Sequence, residues 1–330
     1  MNLEKIKNQI EDCPDYRKQQ VKKSLFSRGI KDWDQATSLP KNLRKKLKQE
    51  TPLSIEVDLF ESEDGKTSKA SIQLKDGCRI ETVLMKIDEE RNTVCVSTQI
   101  GCSLGCEFCA TGKMGFKRNL KTGEIINQVY YFLRRLKPDE RVDNVVFMGM
   151  GEPFLNYDNV MEAIKILNDK NSFNIAARNL SISTAGIPSG IKKISHEPMQ
   201  INLAISLHAA DNEKRSTIMP INRKYSLENI FDAVDYYIEK TNRKIMFEYI
   251  PFKGFNDTQK DINNLTTLLK NRLHFINLIP YNPTEGKLEG ASMKNIIKFK
   301  DELLKRDLNA GIRKSYGQDI KGACGQLVNE

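Results

Sequence analysis

Three cysteines crowd into one short stretch, Gly101-Cys102-Ser103-Leu104-Gly105-Cys106-Glu107-Phe108-Cys109, with the spacing C-x-x-x-C-x-x-C. Thiolates packed this closely can each take one iron of an iron–sulfur cluster, and three ligands for four irons leave one iron open. A structural zinc ion normally closes with a fourth protein ligand, and the nearest histidine, His196, is far off and outside any finger-like spacing. The chain has seven cysteines; an odd number without an export signal points to metal or redox chemistry rather than a disulfide framework. Cys13, Cys78 and Cys95 lie upstream of the triplet, and Cys324 stands six residues from the C-terminus in Gly322-Ala323-Cys324-Gly325, a permissive backbone that a mobile loop could carry.

Elements that could position these residues are legible on both sides. From residue 100 onward strand and helix patterns alternate: strands over 144–148, 180–183, 202–207, 244–249, 274–279 and 310–314, and helices over 124–136, 157–168, 227–240, 258–270 and 293–306. Alternation of this kind predicts a parallel sheet wrapped by helices, open or curled into a barrel whose function collects at the C-terminal strand ends. Gly149-Met150-Gly151-Glu152-Pro153 follows the apolar run 145–148, so its glycines allow backbone to approach a ligand at such an end. Upstream, β-branched runs over 53–59, 70–74, 80–84 and 93–98, with Asp76-Gly77 as a turn, predict a short β-extension and an exposed loop over 61–68. Before them, 14–50 is expected to be helical: Pro14 opens one helix that Gly29 stops, and a second follows Pro40 with Leu43 and Leu47 on one face.

Composition limits the rest. The chain of 330 residues, 39% hydrophobic, with mean hydropathy of −0.51 and no eighteen-residue apolar run, suits a soluble protein with no membrane span. An N-terminus carrying Glu4, Lys5, Lys7, Glu11 and Asp12 lacks the apolar stretch of a signal peptide, so a cytoplasmic location is expected. Net charge is +9, and residues 1–50 hold 13 basic against 7 acidic side chains, which concentrates +6 in the first sixth of the chain. Arg44, Lys45, Lys46 and Lys48 suit either a polyanion partner such as nucleic acid or a plain solvated helix face.

The motifs go further together than singly. Cys109-Ala110-Thr111-Gly112, Gly115-Phe116, Arg118-Asn119-Leu120, Gly149-Met150-Gly151-Glu152-Pro153, Ser206-Leu207-His208, Met219-Pro220-Ile221-Asn222, Phe247-Glu248-Tyr249 and Ala323-Cys324-Gly325-Gln326-Leu327 stand in order over nearly the whole chain. In this the chain resembles the RlmN-type dual-specificity 23S rRNA and tRNA adenine-C2 methyltransferases of the radical S-adenosylmethionine (SAM) superfamily. The resemblance implies an α/β fold, a radical SAM partial (β/α)6 barrel with a small N-terminal helical accessory domain and a β-extension. The divisions would be a basic helical piece over 1–52, the β-extension over 53–98, the radical SAM core over 99–315 and a C-terminal segment over 316–330.

It also implies a site. Cys102, Cys106 and Cys109 would ligate a 4Fe-4S cluster, Gly151 and Glu152 would meet the methionine end of SAM, and Ser183, Ser206, Leu207, His208 and Asn282 would line its pocket. A carboxylate facing an ammonium is a sensible pairing for Glu152. Cys324 matches the family's methyl carrier, Cys95 its second functional cysteine, and Glu81 a proton acceptor, although the loop between Glu81 and Cys95 is one residue longer than the family's usual length. Cys13 and Cys78 match nothing and are expected to be structural.

Carbon 2 of adenine is electron-poor, so polar transfer from a sulfonium is mismatched and radical chemistry is called for. By resemblance two SAM are used per turnover. One methylates the Cys324 thiolate; the second is reductively cleaved at the cluster, and the methyl on Cys324, stripped of a hydrogen atom, adds to the base. Cys95 would then attack the Cys324 sulfur and release the RNA. The implied partners are 23S rRNA and tRNA, presenting an unstacked adenine, and an electron donor such as flavodoxin, with the enzyme a monomer. Two alternatives stand beside this: methylation at C8, as in Cfr-type relatives, toward which Ser315-Tyr316-Gly317-Gln318-Asp319 leans, and an RNA-binding or redox-sensing protein with a structural cluster.

Overall fold

The computed structural model describes residues 1–27, 29–87 and 91–328. Its strands are β1 Val57–Glu61, β2 Thr67–Gln73, β3 Arg79–Ile87, β4 Arg91–Cys95, β5 Gln99–Gly101, β6 Phe116–Asn119, β7 Asn144–Phe147, β8 Leu180–Thr184, β9 Asn202–Ser206, β10 Ile245–Tyr249, β11 His274–Leu278 and β12 Ala310–Ile312. Ten of them form one sheet in the order β1-β2-β3-β4-β7-β8-β9-β10-β11-β12, and β5 and β6 form a separate antiparallel ribbon. Pairing is antiparallel from β1 to β4 and parallel from β4 onward.

Side-chain alternation explains which way the sheet faces. Along β8, Leu180, Ile182 and Thr184 are buried while Ser181 and Ser183 are half-buried, and along β10 Ile245, Phe247 and Tyr249 are fully buried. The apolar set packs beneath the helices that follow each strand, such as Thr122–Leu133, Tyr157–Asn168, Leu227–Thr241 and Gln259–Leu269. The polar set faces inward. The sheet also curls: Arg313, just past β12, brings Nη1 to 3.5 Å from Met148 Sδ just past β7. In a flat sheet five strand spacings of about 4.8 Å would hold those ends roughly 24 Å apart. Strands β4 and β7 to β11, each with its helical connection, thus make the expected (β/α)6 partial barrel, and β12 extends its far edge.

Several boundaries differ from expectation for local reasons. The strand expected over 93–98 is cut short at Cys95, where β4 ends, before residues 99–101 pair with β6 in the separate ribbon. Helices Leu3–Gln9, Pro188–Ile194 and Asn212–Ile218 were not expected; each is seven residues long, too short for a 3.6-residue period to stand out. The helical run expected from Pro14 comprises Asp15–Lys22 with a π-helical turn Lys23–Ser27, stopped at Gly29 with φ +59°, then a short turn Trp33–Gln35 and the helix Lys41–Glu50. The longer loop expected between Glu81 and Cys95 includes residues 88–90, which lie outside the described residues.

The N-terminal helices share one apolar cluster with the barrel, joined through Ile6, Leu25, Phe26, Trp33, Tyr130 and Phe132. Phe26 stacks on Phe173 at 4.9 Å, Tyr130 Oη donates to the Ile30 carbonyl, and Arg134 Nη1 donates to the Leu53 carbonyl at 2.9 Å. Much of the local positive charge is already paired: Lys48 bridges Asp32 and Asp34, Lys5 meets Glu50 at 2.8 Å and Lys22 meets Asp169 at 2.9 Å. Arg44 reaches the Asp34 carbonyl, which leaves Lys45 and Lys46 as the members of the basic run that are exposed and, among the described residues, in no ion pair. Among the described residues no helix is long and apolar enough to cross a membrane.

A shared core predicts shared unfolding. Trp33 is 1% exposed and its Nε1 donates to the Thr51 carbonyl at 2.8 Å. Trp33→Ala should cost about 3–5 kcal/mol by circular dichroism, and urea unfolding of the wild type, followed by the fluorescence of this one tryptophan and by circular dichroism, should be one coincident transition. Separate transitions for helices and barrel would contradict a common core.

Candidate active site

The triple-cysteine loop is fixed by backbone contacts that only glycine permits. Gly101 has φ +70°, and a Cβ there would stand 1.8 Å from the Gly115 carbonyl oxygen, which itself accepts from Cys102 N–H at 2.9 Å. On the far side a Cβ at Gly112 would come within 2.9 Å of Cys106 N. The β5–β6 ribbon therefore pins the loop's start and the short helix Ala110–Lys113 pins its end. Beneath it lies a small apolar cluster of Leu104, Phe108, Ile218, Met219, Phe252 and Ile279, which keeps water away.

Burial pushes the Cys102 thiol up to about 12 and Cys106 well above the usual thiol range, where Cys109 and Cys102 add to the effect; Cys109 is also raised, chiefly by burial. Three thiols that hinder one another's ionisation need positive charge brought to them. Among the described residues no three histidine, cysteine or carboxylate side chains converge as they would around one bare metal ion. A cluster that gives each sulfur its own iron fits this donor set.

Glu152 follows β7 and is 3% exposed. Its Oε1 accepts from Phe154 N–H at 3.0 Å and its Oε2 from Ala185 N–H at 2.7 Å, beyond β8. Burial raises its pKa to about 7, against the opposing pull of those N–H groups and Thr184. Gly151, φ +96°, has no room for a Cβ, which would lie 2.4 Å from Gln99 Cβ. Ser183 and Ser206 sit on the inward rows of β8 and β9, while Leu207 is fully buried. His208 has φ +54°; its Nδ1 accepts from Ile250 N–H at 3.1 Å, its ring packs edge-on to Phe108 at 4.6 Å, and burial, aided by Arg215, lowers its pKa to about 3. It is a neutral imidazole.

Asn282 is buried, and its Nδ2 donates to the Cys324 carbonyl at 3.1 Å, so in this structure it tethers the C-terminal loop. That loop is held again by Ala110 N–H to Gly325 O at 2.8 Å and Thr111 Oγ1 to Leu327 O at 2.6 Å. As a result Cys95, Cys109 and Cys324 line one cavity of about 470 Å³ at the barrel mouth, with Met148, Arg313 and Tyr316. Cys324 is exposed; Cys95 is buried, and burial, with Cys324 adding, pushes it up to about 12 while Arg313 works the other way. Glu81 stands apart from this cavity. Its Oε1 pairs with Lys69 at 2.8 Å, both nearly buried, and its Oε2 accepts from Val328 N–H at 2.9 Å.

Sequence reasoning missed Arg215. It is fully buried and donates to the Leu207, Ala185 and Ser206 carbonyls at 3.0, 2.6 and 2.9 Å and to Asn222 Oδ1 at 2.8 Å, locking the ends of β8 and β9 together. Within a run Asn212-Glu213-Lys214-Arg215 nothing sets this side chain apart from a solvated face. Lys69 was missed as well, because its pairing shows only in the register of β2 on β3, where Ser71 opposes Glu81 and Lys69 is the diagonal neighbour on the same face.

With this geometry in view, comparisons with known proteins converge. The Radical SAM superfamily matches residues 96–265. A protein of Dictyoglomus turgidum named "Probable dual-specificity RNA methyltransferase RlmN" is 44% identical, the match covering 95% of this chain and 90% of that protein. One of the same name from Staphylococcus aureus strain JH9 is 45% identical over 94% of this chain and 86% of its own length. The crystal structure of a radical SAM methyltransferase from Sphaerobacter thermophilus superposes with a TM-score of 0.93 at 38% identity, covering 99% of this chain and 97% of that one.

The buried carboxyl gives a pH signature. Glu152 titrates near 4.5 when unfolded and about 7 when folded, so between those values the folded chain holds a proton that the unfolded one has lost, and stability falls as pH rises through that window. Melting temperatures of the cluster-free protein should show Glu152→Gln gaining on the wild type between pH 4.5 and 7, by an amount equivalent to roughly 3 kcal/mol. Parallel curves for the two proteins would refute the assignment.

Proposed function

Because the chain belongs to the radical SAM superfamily and, within it, to the RlmN-type RNA methyltransferases, we propose that it methylates C2 of an adenine in RNA through an S-methylcysteine at Cys324. The family brings SAM and an iron–sulfur cluster, with two SAM consumed per turnover under this proposal. The substrates are an adenine in the peptidyl transferase centre of 23S rRNA and the adenine 3′ to the anticodon in tRNAs. The enzyme works in the cytoplasm as a monomer, reduced by a donor such as flavodoxin.

One observation carries the reading: Cys95 and Cys324 share a cavity with Cys109 of the triple-cysteine loop. When bound, a cluster held by Cys102, Cys106 and Cys109 supplies the electron that cleaves SAM reductively. Around it the chain's own residues bind and orient. Glu152 offers a carboxylate to the methionine ammonium, and Gly151 lets that end come close. Ser183, Ser206 and Leu207 form the inner wall, and His208 presents a neutral ring rather than a second cation. Asn282, which holds the Cys324 carbonyl, both lines the pocket and sets the reach of the carrier loop.

Cys324, open to the cavity, accepts the methyl and carries it to the base. Glu81 takes the proton released after addition. Lys69 and Val328 N–H hold the carboxylate beside the tail that bears Cys324, so movement of residues 324–328 would release the Val328 contact and leave the one with Lys69. Residues 1–52, with Lys45 and Lys46 exposed, serve as an accessory piece that meets RNA phosphates, 53–98 as the β-extension, 99–315 as the core and 316–330 as the carrier segment.

Nucleosides from RNA treated with the reduced, cluster-loaded enzyme and SAM should contain 2-methyladenosine by mass spectrometry; 8-methyladenosine alone would overturn the position proposed. Cys95→Ala should stall after the carbon–carbon bond forms and accumulate a covalent protein–RNA species on denaturing gels. Normal turnover without that adduct would remove Cys95 from the mechanism.

A further inference from the structure

Arg313 lies immediately beyond β12 and lines the cavity of Cys95 and Cys324, its side chain 28% exposed. A guanidinium has five N–H donors. Among the described residues the only hydrogen bond from this one runs to Met148 Sδ at 3.5 Å, and its nearest carboxylate, Glu248, stands at 3.8 Å. Glu248 Oε2 is itself buried without a hydrogen-bond partner. The cation thus has one carboxylate on β10 at the edge of ion-pairing range, while its other donors have no hydrogen-bond partner among the described residues.

Besides Cys109, whose sulfur would belong to the cluster, the other walls offer no acidic side chain. Met85 and Ile87 of β3 and Met148 and Gly149 after β7 bring no charge; Tyr316 brings a hydroxyl and Lys314 a second cation at the exposed rim. We propose that Arg313 is a positioning residue for the Cys324 sulfur, setting a cation beside it in their shared cavity as it accepts the methyl group. Electrostatics agree: Arg313 is kept more firmly protonated first by Cys324 and then, against burial, by Glu248 and Cys95. In the step it serves, the thiol proton goes to solvent and a sulfur lone pair forms the S–CH3 bond. The C–S bond of the sulfonium breaks, and its electron pair leaves on a neutral thioether. The same cation faces Cys95 when that sulfur must in turn become a nucleophile.

This deepens the methyl-carrier reading of Cys324 and rests on it. The test needs neither RNA nor SAM, so its failure condemns the role of Arg313 and leaves the carrier reading to its own experiment. Protein from iron-starved cells, with Cys324 unmethylated, is refilled anaerobically with the cluster and treated with iodoacetamide at pH 7. Peptide mass spectrometry then gives the alkylation rate at Cys324. Arg313→Gln should slow it at least tenfold and Arg313→Lys no more than threefold, both with cluster content and melting temperature checked. An unchanged rate in a folded Arg313→Gln protein overturns the proposal, as does loss of salt-dependent RNA binding with thiol reactivity intact, which would make Arg313 a phosphate contact. If the Gln variant does not fold, the wild type decides: Cys324 should react at least threefold faster than the free peptide Gly-Ala-Cys-Gly, and parity overturns the proposal.

Discussion

A single backbone hydrogen bond, from Ala110 N–H to the Gly325 carbonyl at 2.8 Å, joins the loop of three thiols to the loop of the fourth. The two segments are far apart in the chain, and only a curled sheet can bring them together. The barrel provides the curl, with inward-facing Ser183, Ser206 and Glu248 on neighbouring strands and Arg313 reaching back to Met148. The β5–β6 ribbon and the close contact of Gly101 with Gly115 fix one partner of the bond; Asn282 and Thr111 fix the other. Were the curl lost, the cavity shared by Cys95, Cys109 and Cys324 would open and the sulfurs would separate.

Charge is distributed inside this frame in a consistent way. Arg215 lies fully buried with neutral acceptors around it, and it lowers the cost of ionising Cys106. Glu152 and His208 are both driven toward their neutral forms by burial. Under the proposed function the interior would suit charged guests: an anionic cluster on the cysteines near Arg215 and a cationic ammonium at Glu152. Buried ionisable groups whose pKa values move this far cluster at functional sites, and here they line the mouth where the strands end.

Much of this was legible in the sequence, because period and spacing carry it. The helix expected over 157–168 forms as Tyr157–Asn168, and the strands over 180–183, 202–207 and 274–279 form within a residue or so of expectation. The site motifs fall where strands end, since glycines and small polar residues after an apolar run mark the point where a chain leaves a sheet. What stayed hidden depends on tertiary position. Nothing local distinguishes a buried Arg215 from a solvated one, the β5–β6 ribbon follows from a glycine contact across fourteen residues, and the Lys69–Glu81 pair needs the register of β2 on β3. The basic N-terminal run carries less unpaired charge than its composition suggests, because Lys48 and Lys5 pair with neighbouring carboxylates.

The central claim, that a cluster held at the barrel mouth and Cys324 act as one methyl-transfer site, is tested most directly on the peptide that carries Cys324. Cells supplied with methyl-labelled methionine would yield protein for peptide mass spectrometry, wild type beside Cys109→Ala. The account predicts one labelled methyl on Cys324 in the wild type and none in the variant. An unmodified Cys324 in wild-type protein that nonetheless methylates RNA would contradict it.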